Sequence, residues 1–348
     1  MKDSVTKIAG DKKARRFVTL DALRGAGAAA VMAFHAGPLL GGYSPPLAYL
    51  AVDMFFVLSG FVIAYAYDAK MSSGMSPFAF LQARVKRLYP IYLIGLLLGA
   101  ASLYFNNPNE LSRVGAAVSF FCGLFALPTP PMGAFRSLFP LNGPYWSLIF
   151  EFWIANLSFA FLWRVLQGRV LWAFVAFCAA ILSAGVMYAK SIDLGWNWHS
   201  APGGLARVCF SFYAGVLLAR IHAKSPPRIR VPSSACLLAF CLLMVLPVST
   251  FWKPVVGLVS VFLFFPALIY WGAEAIEKYP AVGAAFGDAS YALYAIHRPL
   301  LYLFVWLLAA GGLSSMPKLY AIVTQIVVMA VIGILAWGIG KRFSAQRR

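Results

Sequence analysis

Charge is scarce in this chain, and negative charge scarcest: 348 residues carry eleven Asp and Glu against 29 Lys and Arg, and charged residues make up only 11%. A water-soluble domain typically has about 25% charged residues. That deficit, beside 61% hydrophobic residues and a mean hydropathy of +0.78, excludes an ordinary soluble domain. Cysteine is also sparse. Cys122, Cys178, Cys209, Cys236 and Cys241 lie in or beside apolar runs, without CxxC spacing or a histidine at zinc spacing, which argues for buried thiols and against a metal site. No internal repeat, low-complexity stretch or attached soluble domain is evident, so a single membrane domain over residues 1–348 is the economical organisation.

What the chain has is long apolar runs. Ten of about 17 to 23 residues, near the length needed to cross a bilayer, fall at 20–40, 47–67, 88–105, 144–166, 170–188, 203–222, 232–249, 254–272, 289–310 and 319–340. They predict an all-α, polytopic bundle of about ten transmembrane helices. An eleventh candidate, 114–127, has the length of a re-entrant or interfacial segment. The basic tail 1–19 and the small residues Ala26–Ala30 resemble a signal peptide, but Arg24 interrupts the apolar core such a peptide needs, which favours an uncleaved first span.

The position of the charges sets the expected topology. Lys and Arg collect in cytoplasmic loops, and both ends are basic: Lys2, Lys7, Lys12, Lys13, Arg15 and Arg16 at one, Lys341, Arg342, Arg347 and Arg348 at the other. Both termini are therefore expected in the cytoplasm, with an even number of crossings. The loops placed outside then hold only Arg113, Arg136, Lys190, Lys253 and Lys318. The +18 net charge is thus spread along membrane edges and does not form one soluble basic face, which argues against nucleic-acid binding. The longest external loop, 106–143, suggests either a lid or a plain connection.

Ionisable groups inside a span are expensive and mark function by default. Here they are Arg24, His35, Asp53, Glu151, Arg207, His297 and Arg298. Arg24 and His35 are eleven residues apart, about three helical turns, so they share a face with His35 roughly 16 Å further along. Asp53 and Glu151 are expected at a similar depth, where a histidine and two carboxylates can supply a general base and its orienting partner. Arg84 and Arg87, at i and i+3 in RVKRLYP, share a face that suits phosphate, with Pro90 expected in the first turn of the following span. Each has a plainer reading: Arg24 as a snorkelling anchor, the basic cluster as a topology anchor, His35 and His297 as satisfied interhelical hydrogen bonds. His199, His222 and Arg207 read as structural.

Five stretches taken together resemble the acyltransferase-3 family of membrane-bound bacterial sugar O-acyltransferases. Arg24 and His35 match an Arg-x10-His signature inside LDALRG; AVDMFFVLSGF at 51–61 matches a second-span motif; Arg84, Arg87 and Pro90 match Arg-x-x-Arg-x-x-Pro; GPYWSLIFEF at 143–152 and SYALYAIHRP at 290–299 match later blocks. Ala22 departs from a frequent glycine, and no hydrolase-like extracytoplasmic domain follows before Arg348. The resemblance implies transfer of an acyl group, usually acetyl, from cytoplasmic acyl-CoA to a hydroxyl of a cell-surface or exported carbohydrate, at a bacterial inner membrane. It implies CoA phosphate contacts for Arg24, Arg84 and Arg87 and a catalytic role for His35, with Asp53, Glu151 and His297 as further candidates, by direct transfer or through an acyl-histidine. Membrane lipid and glycan-assembly proteins are the expected partners. A transporter of a glycan, lipid or anion is the rival, since buried Arg, His and carboxylates also suit a translocation path.

Overall fold

The computed structural model describes residues 16–106, 111–132, 136–313 and 317–345, and there the apolar runs become helices. In chain order these are α1 (Val18–Leu40), α2 (Ala51–Ser72), α3 (Pro77–Asn106), α4 (Arg113–Leu124), α5 (Tyr145–Leu162), α6 (Gly168–Ala189), α7 (Ala201–Lys224), α8 (Ser233–Val245), α9 (Lys253–Gly272), α10 (Pro280–Ala310) and α11 (Lys318–Ala345). The chain is an all-α polytopic membrane bundle. Among the described residues eight helices are long and apolar enough to cross a bilayer, namely α2, α3, α5, α6, α7, α9, α10 and α11. The other two expected spans are helical but fall outside that set. Helix α1 has 23 residues but contains Asp21, Arg24 and His35. Helix α8 has 13 residues, about 20 Å, because Leu246 turns extended ahead of Pro247, whose ring disfavours helix at the residue before it. The 114–127 candidate forms the 12-residue α4, short of a span. Of the basic termini, Lys2, Lys7, Lys12, Lys13, Arg15, Arg347 and Arg348 lie outside the described residues.

Packing centres on two helices. Helix α10 lies against α1, α3 and α11, while α2 lies along α7, which α6 backs. The α2–α7 crossing is close enough that a Cβ on Gly60 would strike the carbonyl oxygen of Phe212, and one on Gly215 that of Val57. Small residues let membrane helices approach this closely, where dispersion replaces the hydrophobic drive that lipid removes. Large apolar side chains such as Val323, Ile326, Val327 and Ile334 of α11 point outward, as a lipid-facing surface requires.

Prolines inside helices break the backbone ladder at useful places. Pro38 cannot donate to Phe34, and the freed carbonyl accepts from the Ser44 hydroxyl at 3.1 Å. Pro299 likewise frees the carbonyl of Ala295, which accepts from Asn142 Nδ2 at 2.8 Å. Each repaired break lies within four residues of a histidine. Pro90 sits in the interior of α3 and not in a first turn, because that helix already begins at Pro77.

Candidate active site

Two cavities sit one above the other in the bundle. The first, about 350 Å³, is lined by His35, Tyr49, Gly143, Trp146, Asp193, Trp196, Arg298 and Tyr302. The second, about 210 Å³, is lined by Arg24, Ser59, Arg84, Arg87, Tyr89 and Glu151. Val52 and Tyr294 line both, so the histidine cavity and the arginine cavity are separated by a shared wall. Along α1 and α3 the order is the same, with Arg24 and Arg84 at the arginine end and His35 and Gly99 at the histidine end.

The histidine cavity is organised by a pair of imidazoles. His297 is fully buried, and its Nδ1–H donates to the carbonyls of Leu293 at 3.1 Å and Tyr294 at 2.9 Å. Carbonyl oxygens only accept, so the proton is assigned to Nδ1 and Nε2 of the neutral ring is left as an acceptor. That Nε2 is 3.1 Å from His35 Nδ1, which is also 3.0 Å from the carbonyl of Val31. Two acceptors around His35 Nδ1 place its proton there, and the lone pair of a neutral His35 then resides on Nε2. The second histidine thereby sets the tautomer of the first.

Neither carboxylate joins that pair, contrary to the expected convergence. Asp53 is fully buried and gives both oxygens to Arg207, Oδ2 to Nη2 at 2.7 Å and Oδ1 to Nε at 3.1 Å. Arg207 also donates to the carbonyls of Leu194 and Tyr49 and stacks on Trp146, tying the 190–200 loop to α2 and α5 beside the histidine cavity. Asp53 is thus a partner of Arg207, because a guanidinium at the same depth satisfies a buried carboxylate more fully than one imidazole can. Glu151 lies in the arginine cavity, where Oε1 accepts from Ser59 at 2.6 Å and from Arg84 at 3.3 Å. It stands in a π-helical stretch, Phe150–Asn156, whose extra residue per turn re-aims side chains.

The arginines do meet. Arg84 is buried and also donates to Asn156 Oδ1 at 3.2 Å; Arg87 lines the same cavity. Arg24 donates to Asp21 at 2.9 Å, to Ser290 at 2.7 Å and to the Gly287 carbonyl at 2.9 Å. Arg16 joins Asp21 to Asp288 and so staples the start of α1 to α10. Burial lowers the Arg16 pKa, but the hydrogen bonds and charges of Asp21 and Asp288 outweigh it and leave the guanidinium raised above its usual value.

The end of the long 106–143 loop lines the histidine cavity through Ser137, Phe139, Pro140, Leu141 and Gly143. Backbone bonds from Leu138 to Trp196 and from Trp198 to Arg136 pair it with the 190–200 loop, which brings Asp193 and Trp196 to the rim. Burial raises the Asp193 pKa, with Arg207 opposing and Asp53 adding to the shift. Asp193, Ser59, Asn156 and Tyr294 were not candidates in the sequence, because nothing local marks a residue that matters through a distant partner. Among the described residues no group of three or more His, Cys, Asp or Glu is placed to hold a metal, and the five cysteines are unpaired.

Fold and site together define a polytopic membrane protein with a histidine pair in one cavity and an arginine cluster in a second behind it. The comparisons make the class specific. The acyltransferase-3 family, described as an acyltransferase domain, matches residues 17–339, so the chain belongs to that family and is a membrane acyltransferase. It is 26% identical over 321 residues to the exopolysaccharide production protein ExoZ of Rhizobium meliloti (strain 1021), covering 88% of this chain and 92% of that one. It is 39% identical over 153 residues to protein 2 in the picA locus of Rhizobium radiobacter, covering 39% of this chain and 77% of that one. No solved structure matches the chain.

Proposed function

We propose that the protein moves an acyl group, in the first instance acetyl, from cytoplasmic acyl-CoA to a hydroxyl of a surface or exported polysaccharide. The single observation that carries this reading is the back-to-back pair of cavities sharing Val52 and Tyr294. A polar, multiply charged donor cannot cross the bilayer, whereas a long flexible arm ending in a thioester can pass a two-residue wall. Arg24, Arg84 and Arg87 would hold the donor phosphates, with the arginine cavity opening toward the cytoplasm of a bacterial inner membrane. The likeness to ExoZ, an exopolysaccharide production protein, supports the acceptor class.

In this mechanism His35 Nε2 takes the proton of an acceptor hydroxyl in the histidine cavity. The hydroxyl oxygen bonds to the thioester carbon, the tetrahedral intermediate expels thiolate, and the imidazolium returns the proton to sulfur. His297 is a positioning residue that keeps the lone pair on Nε2. The remaining roles of the original carboxylate candidates are structural: Asp53 holds the rim, and Glu151 orients Arg84.

Glycan mass spectrometry tests the proposal in a deletion strain beside its complemented and His35→Ala versions. Loss of one acyl mass, restored by the wild-type gene alone, is the expected result; general-base loss lowers turnover by about 10²–10⁴. Normal glycan acylation with correctly inserted His35→Ala would overturn it.

A further inference from the structure

The geometry points to Arg298 as a catalytic residue: its guanidinium holds the oxyanion that forms on the thioester carbonyl as the acceptor hydroxyl attacks. This inference rests on the acyl-transfer reading above and adds a group that reading leaves without a task. Three observations converge. Arg298 lines the same cavity as His35, and it follows His297, the ring bonded to His35, in the chain. Among the described residues its guanidinium makes one long bond, from Nη2 to the Tyr302 hydroxyl at 3.4 Å, lies 5.7 Å from that ring's centroid, and has no carboxylate partner. The backbone is shaped around it, because a Cβ on Gly143 would overlap Nη1.

The contrast with the other cations in the bundle is informative. Arg24, Arg84, Arg207 and Arg220 each have a protein carboxylate. An uncompensated charge within a span is costly, so a cation left facing a cavity is placed to receive negative charge from what enters it. Attack on a thioester creates that charge beside the base: the carbonyl π electrons move onto oxygen as the new C–O bond forms, and return as the C–S bond breaks. A preorganised donor aimed at this oxygen stabilises the transition state more than the ground state. The guanidinium fork, stiffened by Tyr302 and seated against Gly143, has the donors and the pre-set position for it.

A fixed anionic group on the acceptor is the other source of negative oxygen, and kinetics separate the two. Purified enzyme in liposomes is assayed with acetyl-CoA and a glycan acceptor, varying each substrate, for wild type, Arg298→Ala, Arg298→Lys and Gly143→Ala. An oxyanion role predicts that Arg298→Ala lowers kcat about 10²–10³-fold with both KM values within a few-fold, that Arg298→Lys recovers part of it, and that added guanidinium ion partly rescues Arg298→Ala but not His35→Ala. Gly143→Ala, which displaces the guanidinium and leaves its charge, should lower kcat in the same direction. A rise in acceptor KM with kcat intact would overturn the proposal in favour of an anionic acceptor. Unchanged kinetics in Arg298→Ala, or loss of activity that no guanidinium restores in protein that melts as wild type does, would overturn it too. Absence of transfer by wild type itself would instead sink the acyl-transfer reading beneath it.

Discussion

The two cavities treat positive charge in opposite ways. In the arginine cavity Arg24 and Arg84 are bonded to Asp21 and to Glu151, so the site is rigid and its cations are already aimed. In the histidine cavity Arg298 has no carboxylate partner among the described residues, although Asp193 lines the same cavity. The difference suits two tasks. A site that binds a permanently charged donor gains from fixed, partly neutralised arginines, because the ligand charge is present throughout. A site where charge appears only in passing gains from a cation that nothing else has satisfied.

The largest test concerns the scaffold beside the histidine cavity. Asp53→Ala strands Arg207 in the interior and should destabilise the protein by about 3–5 kcal/mol, read as a fall in melting temperature in detergent. The double change Asp53→Leu with Arg207→Met should recover part of that loss, since no unpaired charge remains. If the double change is worse than the single, the pair is not a structural clamp. Next comes the donor side: Arg24→Ala removes a charge-assisted contact of about 1.5–3 kcal/mol and should raise the acyl-donor KM about 10–100-fold with kcat nearly unchanged. A fall in kcat alone would erase the division of labour between the cavities.

A smaller effect is expected at the proline break. Asn142→Ala leaves the Ala295 carbonyl, freed by Pro299, without its partner and should cost about 1–3 kcal/mol. The smallest effect belongs to Asp193, whose pKa burial raises. A carboxyl with a raised folded pKa favours the protonated form, so its cost to stability is absent below the unfolded value of about 3.9, grows as pH rises through the window above it, and is complete above the folded value. Asp193→Asn should therefore melt higher than wild type at pH 7, with the gain vanishing below about pH 4. A wild-type advantage at neutral pH would show that Asp193 is held charged by Arg207.

Much of the scaffold was legible from local pattern. Apolar length marked the helices, and the eleven-residue interval predicted Arg24 and His35 on one face of α1, where they line the two cavities. Element ends were less legible: α3 and α10 begin well before their apolar runs, at Pro77 and Pro280, because amphipathic turns extend a helix past the hydrophobic core. The partners of the carboxylates were not legible for a further reason. Depth along a helix says how far a group lies from the surface but not which neighbour faces it, and Asp53 finds Arg207 at a separation of 154 residues. Arg298 was visible as a cation within a span, but the task proposed for it depends on what does not pair with it.

Composition and spacing by themselves determined that this chain lives in a membrane, that it is helical, and that one helix carries a cation and an imidazole on one face. These follow from rules of short range: the cost of charge in lipid, the rise per residue and the period of a helix. Only the tertiary structure decided that His35 is oriented by a second histidine and not by a carboxylate, and that the arginines and histidines occupy two cavities with a common wall. Those outcomes turn on which helices pack together, since a buried polar group is satisfied by whichever partner the packing brings within 3 Å, however far away it lies in the chain.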